Sequence, residues 1–149
     1  MRPQNAPQVR LSELANLFSS YGLNFSKVRT MKDVMDIRNL LKTRTLSCSE
    51  EEYSLSDSSI DLLLINAIAP ILFAYGKHHQ DEEMTNRAFE LLEHIKPEHN
   101  FITRSWALAG IKSEHAADSQ ALIELKNKYC DKKDCLRCRF GAVYLKKQN

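Results

Sequence analysis

The stretch Ile60-Asp61-Leu62-Leu63-Leu64-Ile65-Asn66-Ala67-Ile68-Ala69-Pro70-Ile71-Leu72-Phe73-Ala74-Tyr75 decides the fold class. It is the longest apolar run of the chain, yet Asp61, Asn66 and Pro70 interrupt it, and on its own it falls short of what a bilayer crossing requires. Its residues are apolar on most sides rather than along one stripe, as expected of a central core helix. The spacing predicts a helix from a capping Asp57 or Ser58 to about His78. Pro70 removes one backbone hydrogen bond inside it and should bend it.

Outward from that helix, helical periodicity recurs almost everywhere, and no run alternates convincingly as a strand would. Toward the amino terminus, Leu11, Leu14, Ala15, Leu17, Phe18 and Tyr21 form a stripe that Gly22 is placed to end. Thr30 is placed to cap a second helix with Met31, Val34, Ile37, Leu40 and Leu41 inward, and Phe25 to Val28 reads as a connector of one turn. Toward the carboxyl terminus, Asp81 caps a fourth helix. Glu82 and Glu83 suit its first-turn dipole, Met84, Ala88, Leu91, Leu92 and Ile95 are inward, and Pro97 is its stop. Asn100 starts a fifth helix carrying Phe101, Ile102, Trp106 and Leu108 and ending near Gly110. A sixth runs from about Ala116 to Tyr129, with Ala117, Ala121, Leu122, Leu125 and Tyr129 inward. The expectation is an all-α domain over 1–149, an antiparallel bundle of about six helices, with an extended arm at 1–10, a Ser- and Glu-rich loop at 43–57 and a cysteine knuckle at 130–138.

At 149 residues the chain is long enough to bury a core without disulfides or a metal. Residues 1–10 carry Pro3 and Pro7 and no apolar segment of the signal-peptide kind, which implies a cytoplasmic protein without a membrane anchor. The net charge of +2 conceals segregation: residues 1–46 sum to +5, 47–125 to −9 and 126–149 to +6. Basic ends either pack beside the acidic middle or present a cationic patch to an anion. The near-neutral total argues against a dedicated nucleic-acid module.

Three of the four cysteines fall in Tyr129-Cys130-Asp131-Lys132-Lys133-Asp134-Cys135-Leu136-Arg137-Cys138-Arg139. The C-x4-C-x2-C spacing returns three thiolates to one small volume, as zinc requires, and it also matches the first three ligands of one iron–sulfur arrangement. In an up-and-down bundle the end of helix six shares one end with the fourth-to-fifth connection and the 43–57 loop. The fourth ligand would then be His99, His94 or Cys48. Two readings stand beside the metal. Cys135 and Cys138 could be a redox pair whose thiols Lys133, Arg137 and Arg139 activate, or all could be plain structural thiols. Lys132, Lys133, Arg137 and Arg139 are also the candidate contacts to nucleic-acid phosphates. No Gly-rich phosphate loop, nucleophile elbow or H-E-x-x-H occurs, so no catalytic residue is nominated and catalytic activity by the chain alone is not expected.

Several strings resemble the carboxyl-terminal region of longer bacterial proteins of the domain-of-unknown-function family DUF2851. They are Arg2-Pro3-Gln4-Asn5-Ala6-Pro7 with Arg10-Leu11, Leu64 through Gly76, Asp118-Ser119-Gln120-Ala121-Leu122, and Tyr129-Cys130 through Cys138. The resemblance implies a larger amino-terminal, strand-containing domain as the natural neighbour of this helical part, and hence that the chain is a fragment. The function expected is a metal-stapled accessory or interaction module that docks on that domain through its arm, with Arg2 and Arg10, and its basic ends; nucleic-acid binding through the basic knuckle and thiol redox chemistry are the alternatives that the residues offer. The family supplies no activity to carry over.

Overall fold

In the computed structural model the residues described are Leu11, Ala15, 24–31, 33–42 and 55–146. These are helical without any strand, so the all-α expectation holds for them. They form seven helices: α1 (Phe25–Thr30), α2 (Val34–Leu41), α3 (Asp57–His79), α4 (Glu82–Glu93), α5 (Phe101–Leu108), α6 (Ala116–Cys130) and α7 (Arg139–Lys146). The expected helix over 11–21, the arm at 1–10 and most of the 43–57 loop, including Cys48, lie outside the described residues. The chain divides into two compact units, Met1–Leu91 and Leu92–Asn149.

Helix α3 organises the first unit. Ser56 caps it, its hydroxyl accepting from the Ser59 amide at 3.2 Å. Between Leu64 and Ile68 the helix widens into a π turn, closed by the Ala69 amide on the Leu64 carbonyl. The cause is Pro70, which cannot donate to the Asn66 carbonyl, so the backbone re-registers one turn earlier. Ile60, Leu64, Ile65, Ile68, Ala69, Leu72 and Gly76 form its buried side. Central placement with all faces covered is not what the structure shows. Leu62, Ile71 and Phe73, outside that buried side, are 52, 53 and 36 % exposed.

The shorter helices are fixed by caps and a few directed bonds. Asn24 caps α1, accepting from the Ser26 amide at 2.8 Å, so the stretch read as a connector is a six-residue helix. Thr30 belongs to its last turn, where its hydroxyl donates to the Lys27 carbonyl at 2.9 Å, and Asp33 is the cap of α2 instead. Thr30 reaches back to close a helix rather than forward to open one, an option open to any Thr. Arg38 of α2 forms a partly buried ion pair with Asp61 of α3. Arg87 of α4 donates to the Val28 carbonyl at 2.8 Å, satisfying an end group of α1.

The corner between α3 and α4 is the tightest part of the unit. Gln80 adopts the left-handed conformation (φ 56°), and the Asp81 amide bonds the Gly76 carbonyl at 2.8 Å. Asp81 then caps α4 as expected, accepting from the Met84 amide at 2.9 Å, while the Thr85 hydroxyl donates to the Asp81 carbonyl at 2.9 Å. A Cβ on Gly76 would meet Thr85 Oγ1 at 2.6 Å and the Thr85 amide nitrogen at 2.8 Å, so only glycine lets the two helices approach this closely. Gly76→Ala should therefore cost about 1–3 kcal/mol, and Asp81→Ala about 1 kcal/mol, read as lowered thermal midpoints with the helix content of the folded state retained. A Gly76→Ala midpoint equal to wild type would mean that the corner is looser than described.

Candidate functional site

The expected functional residues fall in the second unit. Asn100 and Thr103 form a reciprocal capping box at the start of α5, with both amide-to-side-chain bonds at 3.0 Å. The helix ends as expected before Gly110, whose φ of +88° suits glycine alone. Trp106 anchors α5 to α6 by donating Nε1–H to the Leu122 carbonyl at 3.1 Å. Phe101 and Leu108 are 70 and 92 % exposed. Eight residues make barely two turns, and the Thr103–Trp106 side alone meets the neighbouring structure.

The connection carrying Glu98 and His99 lies against the beginning of α6. The Ala116 amide donates to the Ile95 carbonyl at 2.8 Å, the Glu98 amide to Ser119 Oγ at 3.1 Å, and Gln120 Nε2 to Glu98 Oε2 at 2.6 Å. The sequence reading put it beside the end of α6, next to Cys130. From Ser119 to Cys130 the helix rises roughly 16 Å at 1.5 Å per residue. The buried hydroxyl of Ser119 is the reason for the actual register, since it satisfies the Glu98 amide while donating to the Ala116 carbonyl at 2.9 Å.

Helix α6 ends in a second π turn, Lys126–Cys130, closed by the Asp131 amide on the Lys126 carbonyl at 2.9 Å. The chain then reverses tightly. The Asp134 amide bonds the Tyr129 carbonyl at 2.9 Å and Lys133 takes φ 54°. The Cys138 amide bonds the Asp134 carbonyl at 3.1 Å and leads into α7. Helix α7 was not expected from the sequence. It packs on the turn through Gly141, where a Cβ would overlap the Cys135 carbonyl.

In this turn Cys138 is buried, whereas Cys130 and Cys135 are exposed. Among the described residues no group of three or more His, Cys, Asp or Glu side chains is placed to hold a metal ion, and Cys48, one of the candidate fourth ligands beside His94 and His99, lies outside them. The basic residues also divide. Arg137 is committed to Asp134, its Nε 2.8 Å from Oδ2, and Lys126 to Asp131. Lys132, Lys133 and Arg139 are exposed, with no ion pair among the described residues.

The Arg137 guanidinium, hydrogen-bonded to Asp134, holds that carboxyl below its ordinary range. With the folded value lowered, the pair's contribution is present above the ordinary carboxylate pKa and disappears as pH falls through the folded value.

An all-helical arrangement is the class that the described residues define. The chain belongs to the family described as protein of unknown function (DUF2851), whose model matches residues 1–101. The matched part includes α1 to α4 and the apolar run, while Asp118–Leu122 and the cysteine turn lie beyond it. Nothing among curated proteins or solved structures matches the chain.

Two measurements follow from the turn. Alkylation of the native protein should modify Cys130 and Cys135 quickly and Cys138 slowly, resolved by peptide mass spectrometry; equal protection of all three, with or without added zinc, would contradict this difference in exposure. In NMR titrations Asp134 should lose its charge at lower pH than an ordinary carboxyl and return to the ordinary range in Arg137→Ala. An unchanged Asp134 titration in that variant would assign the shift to another cause.

Proposed function

We propose that the chain is a protein-interaction module that docks through the uncovered side of α3 and the adjoining edge of α4. The observation that carries this reading is the exposed aromatic pair formed by Phe73 of α3 and Phe89 of α4. The Phe73 and Phe89 rings meet edge to face at 5.5 Å, with Phe89 50 % exposed. Apolar side chains grouped in this way mark association surfaces, and aromatic pairs are frequent anchors there. The partner proposed is the strand-containing domain that the family resemblance implies.

By length and composition α3 could also cross a bilayer, with 23 residues and a mean hydropathy of 1.7 in its most apolar window. Against a lipid-facing role, Asp61 is paired with Arg38 of α2, and Ile60, Leu64 and Leu72 are fully buried within the protein. A single span would strip both sets of contacts.

Phe73→Glu and Phe89→Glu should each lower capture of the amino-terminal part of a longer family member by about tenfold or more, since one well-buried phenylalanine contributes about 1.5–3 kcal/mol. Circular dichroism should be unchanged. Undiminished capture by both variants would refute the surface, as would insertion of the wild-type chain into liposomes in place of capture.

A second reading has the cysteine turn contact nucleic-acid phosphates through Lys132, Lys133 and Arg139, which the structure leaves exposed. Binding that weakens with salt, and weakens again in Lys132→Gln/Lys133→Gln, is its expected signature. Absence of binding to duplex and single strands at low salt would remove it.

A further inference from the structure

A cleft of about 220 Å³ opens in the second unit, wholly within residues 97–113. Its walls are the connection before α5 (Pro97, Glu98, His99), one side of α5 (Thr103, Arg104, Ala107) and the segment after it (Lys112, Ser113). The capping box and the Ile95–Ala116 and Glu98–Ser119 bonds fix the first wall. Gly110 and the Ile111 amide, bonded to the Trp106 carbonyl at 2.9 Å, fix the third.

The charges lining this cleft are not balanced. Arg104 and Lys112 have no ion pair and no side-chain hydrogen bond among the described residues, whereas the single carboxylate, Glu98, has Oε2 engaged by Gln120. Other acidic side chains of the unit are turned to partners of their own: Asp118 to the Glu114 amide and His115, Glu124 to Lys128, Asp131 to Lys126, Asp134 to Arg137. Two cations without a partner among the described residues thus border one concave, mainly apolar volume, with His99 and Ser113 as further polar residues on its walls. Pro97 and Ala107 provide an apolar portion.

The geometry points to a binding site for a small phosphate monoester, its phosphoryl oxygens taken by Arg104 and Lys112 and its organic body against Pro97 and Ala107. A guanidinium presents a planar fork of donors that matches phosphate oxygens, and an ammonium adds a second point of positive charge. The volume exceeds that of a few waters, each with a liquid share of about 30 Å³, so a phosphate group alone would leave it partly filled. The free oxygen of Glu98 would repel phosphate but accept from a hydroxyl, which favours a hydroxylated ester such as glycerol phosphate. This site is independent of the docking surface on α3 and α4.

The test is an NMR titration of the full isotope-labelled chain with inorganic phosphate and with glycerol phosphate, at constant ionic strength. Saturable shifts at the amides of Arg104, Lys112 and Ser113 are expected, with glycerol phosphate the tighter ligand. Arg104→Gln and Lys112→Gln should each weaken binding about tenfold, the loss of one charge-assisted contact. Both side chains are exposed, so folding is retained, and Lys132→Gln/Lys133→Gln should bind as wild type. Non-saturable shifts, undiminished affinity in both cleft variants, or an equal loss in the Lys132/Lys133 variant would overturn the site. Glycerol phosphate binding no tighter than inorganic phosphate would overturn the monoester assignment.

Discussion

The contact on which the first unit depends is the approach of Gly76 to the first turn of α4. A missing side chain at that position lets the Thr85 and Asp81 backbone sit where a Cβ would be. The left-handed Gln80 and the Asp81 cap then set the direction in which α4 leaves α3. Once that corner is set, Leu72, Met84 and Ala88 are directed inward and Phe73 and Phe89 are placed side by side outside. The buried core and the exposed aromatic pair are two consequences of one constraint.

The same logic explains why α3 has an uncovered side. A helix apolar on nearly all faces needs neighbours all around it, and α1, α2 and α4 do not supply them for Leu62, Ile71 and Phe73. Leaving such residues in water forgoes the stabilisation that burial gives, about 25 cal/mol for each Å² removed from water. That deficit is what a docking partner would recover, and it is the physical basis for reading the chain as an interaction module.

Caps, breakers and periodicity were legible in the sequence because each acts within one turn of helix. Asp81 at α4, Asn100 at α5 and Gly110 behind it do what their chemistry prescribes. Burial in the stripe of α4 followed too, with Met84, Ala88 and Leu91 inward and Ile95 buried just beyond the helix, while Leu92 is only half-buried. The failures are of longer range. Whether Thr30 closed one helix or opened another depended on a choice between equal hydrogen bonds. The register of the Glu98–His99 connection depended on Ser119, a small polar residue with no sequence signal for burial. The burial of the cysteines was also not legible, because spacing along the chain carries no information on it: Cys138 is inward and Cys130 and Cys135 are outward. The basic residues of the cleft, Arg104 and Lys112, were passed over because they are eight positions apart and belong to no motif.

The central claim is that the Phe73–Phe89 side of α3 and α4 is open in the free chain and covered in a complex. Hydroxyl-radical footprinting of both rings, in the chain alone and with the amino-terminal domain of a longer family member, measures this directly. The account predicts rapid oxidation of both rings in the free chain and strong protection of both in the complex. Slow oxidation in the free chain, or rates unchanged by the partner, would contradict it.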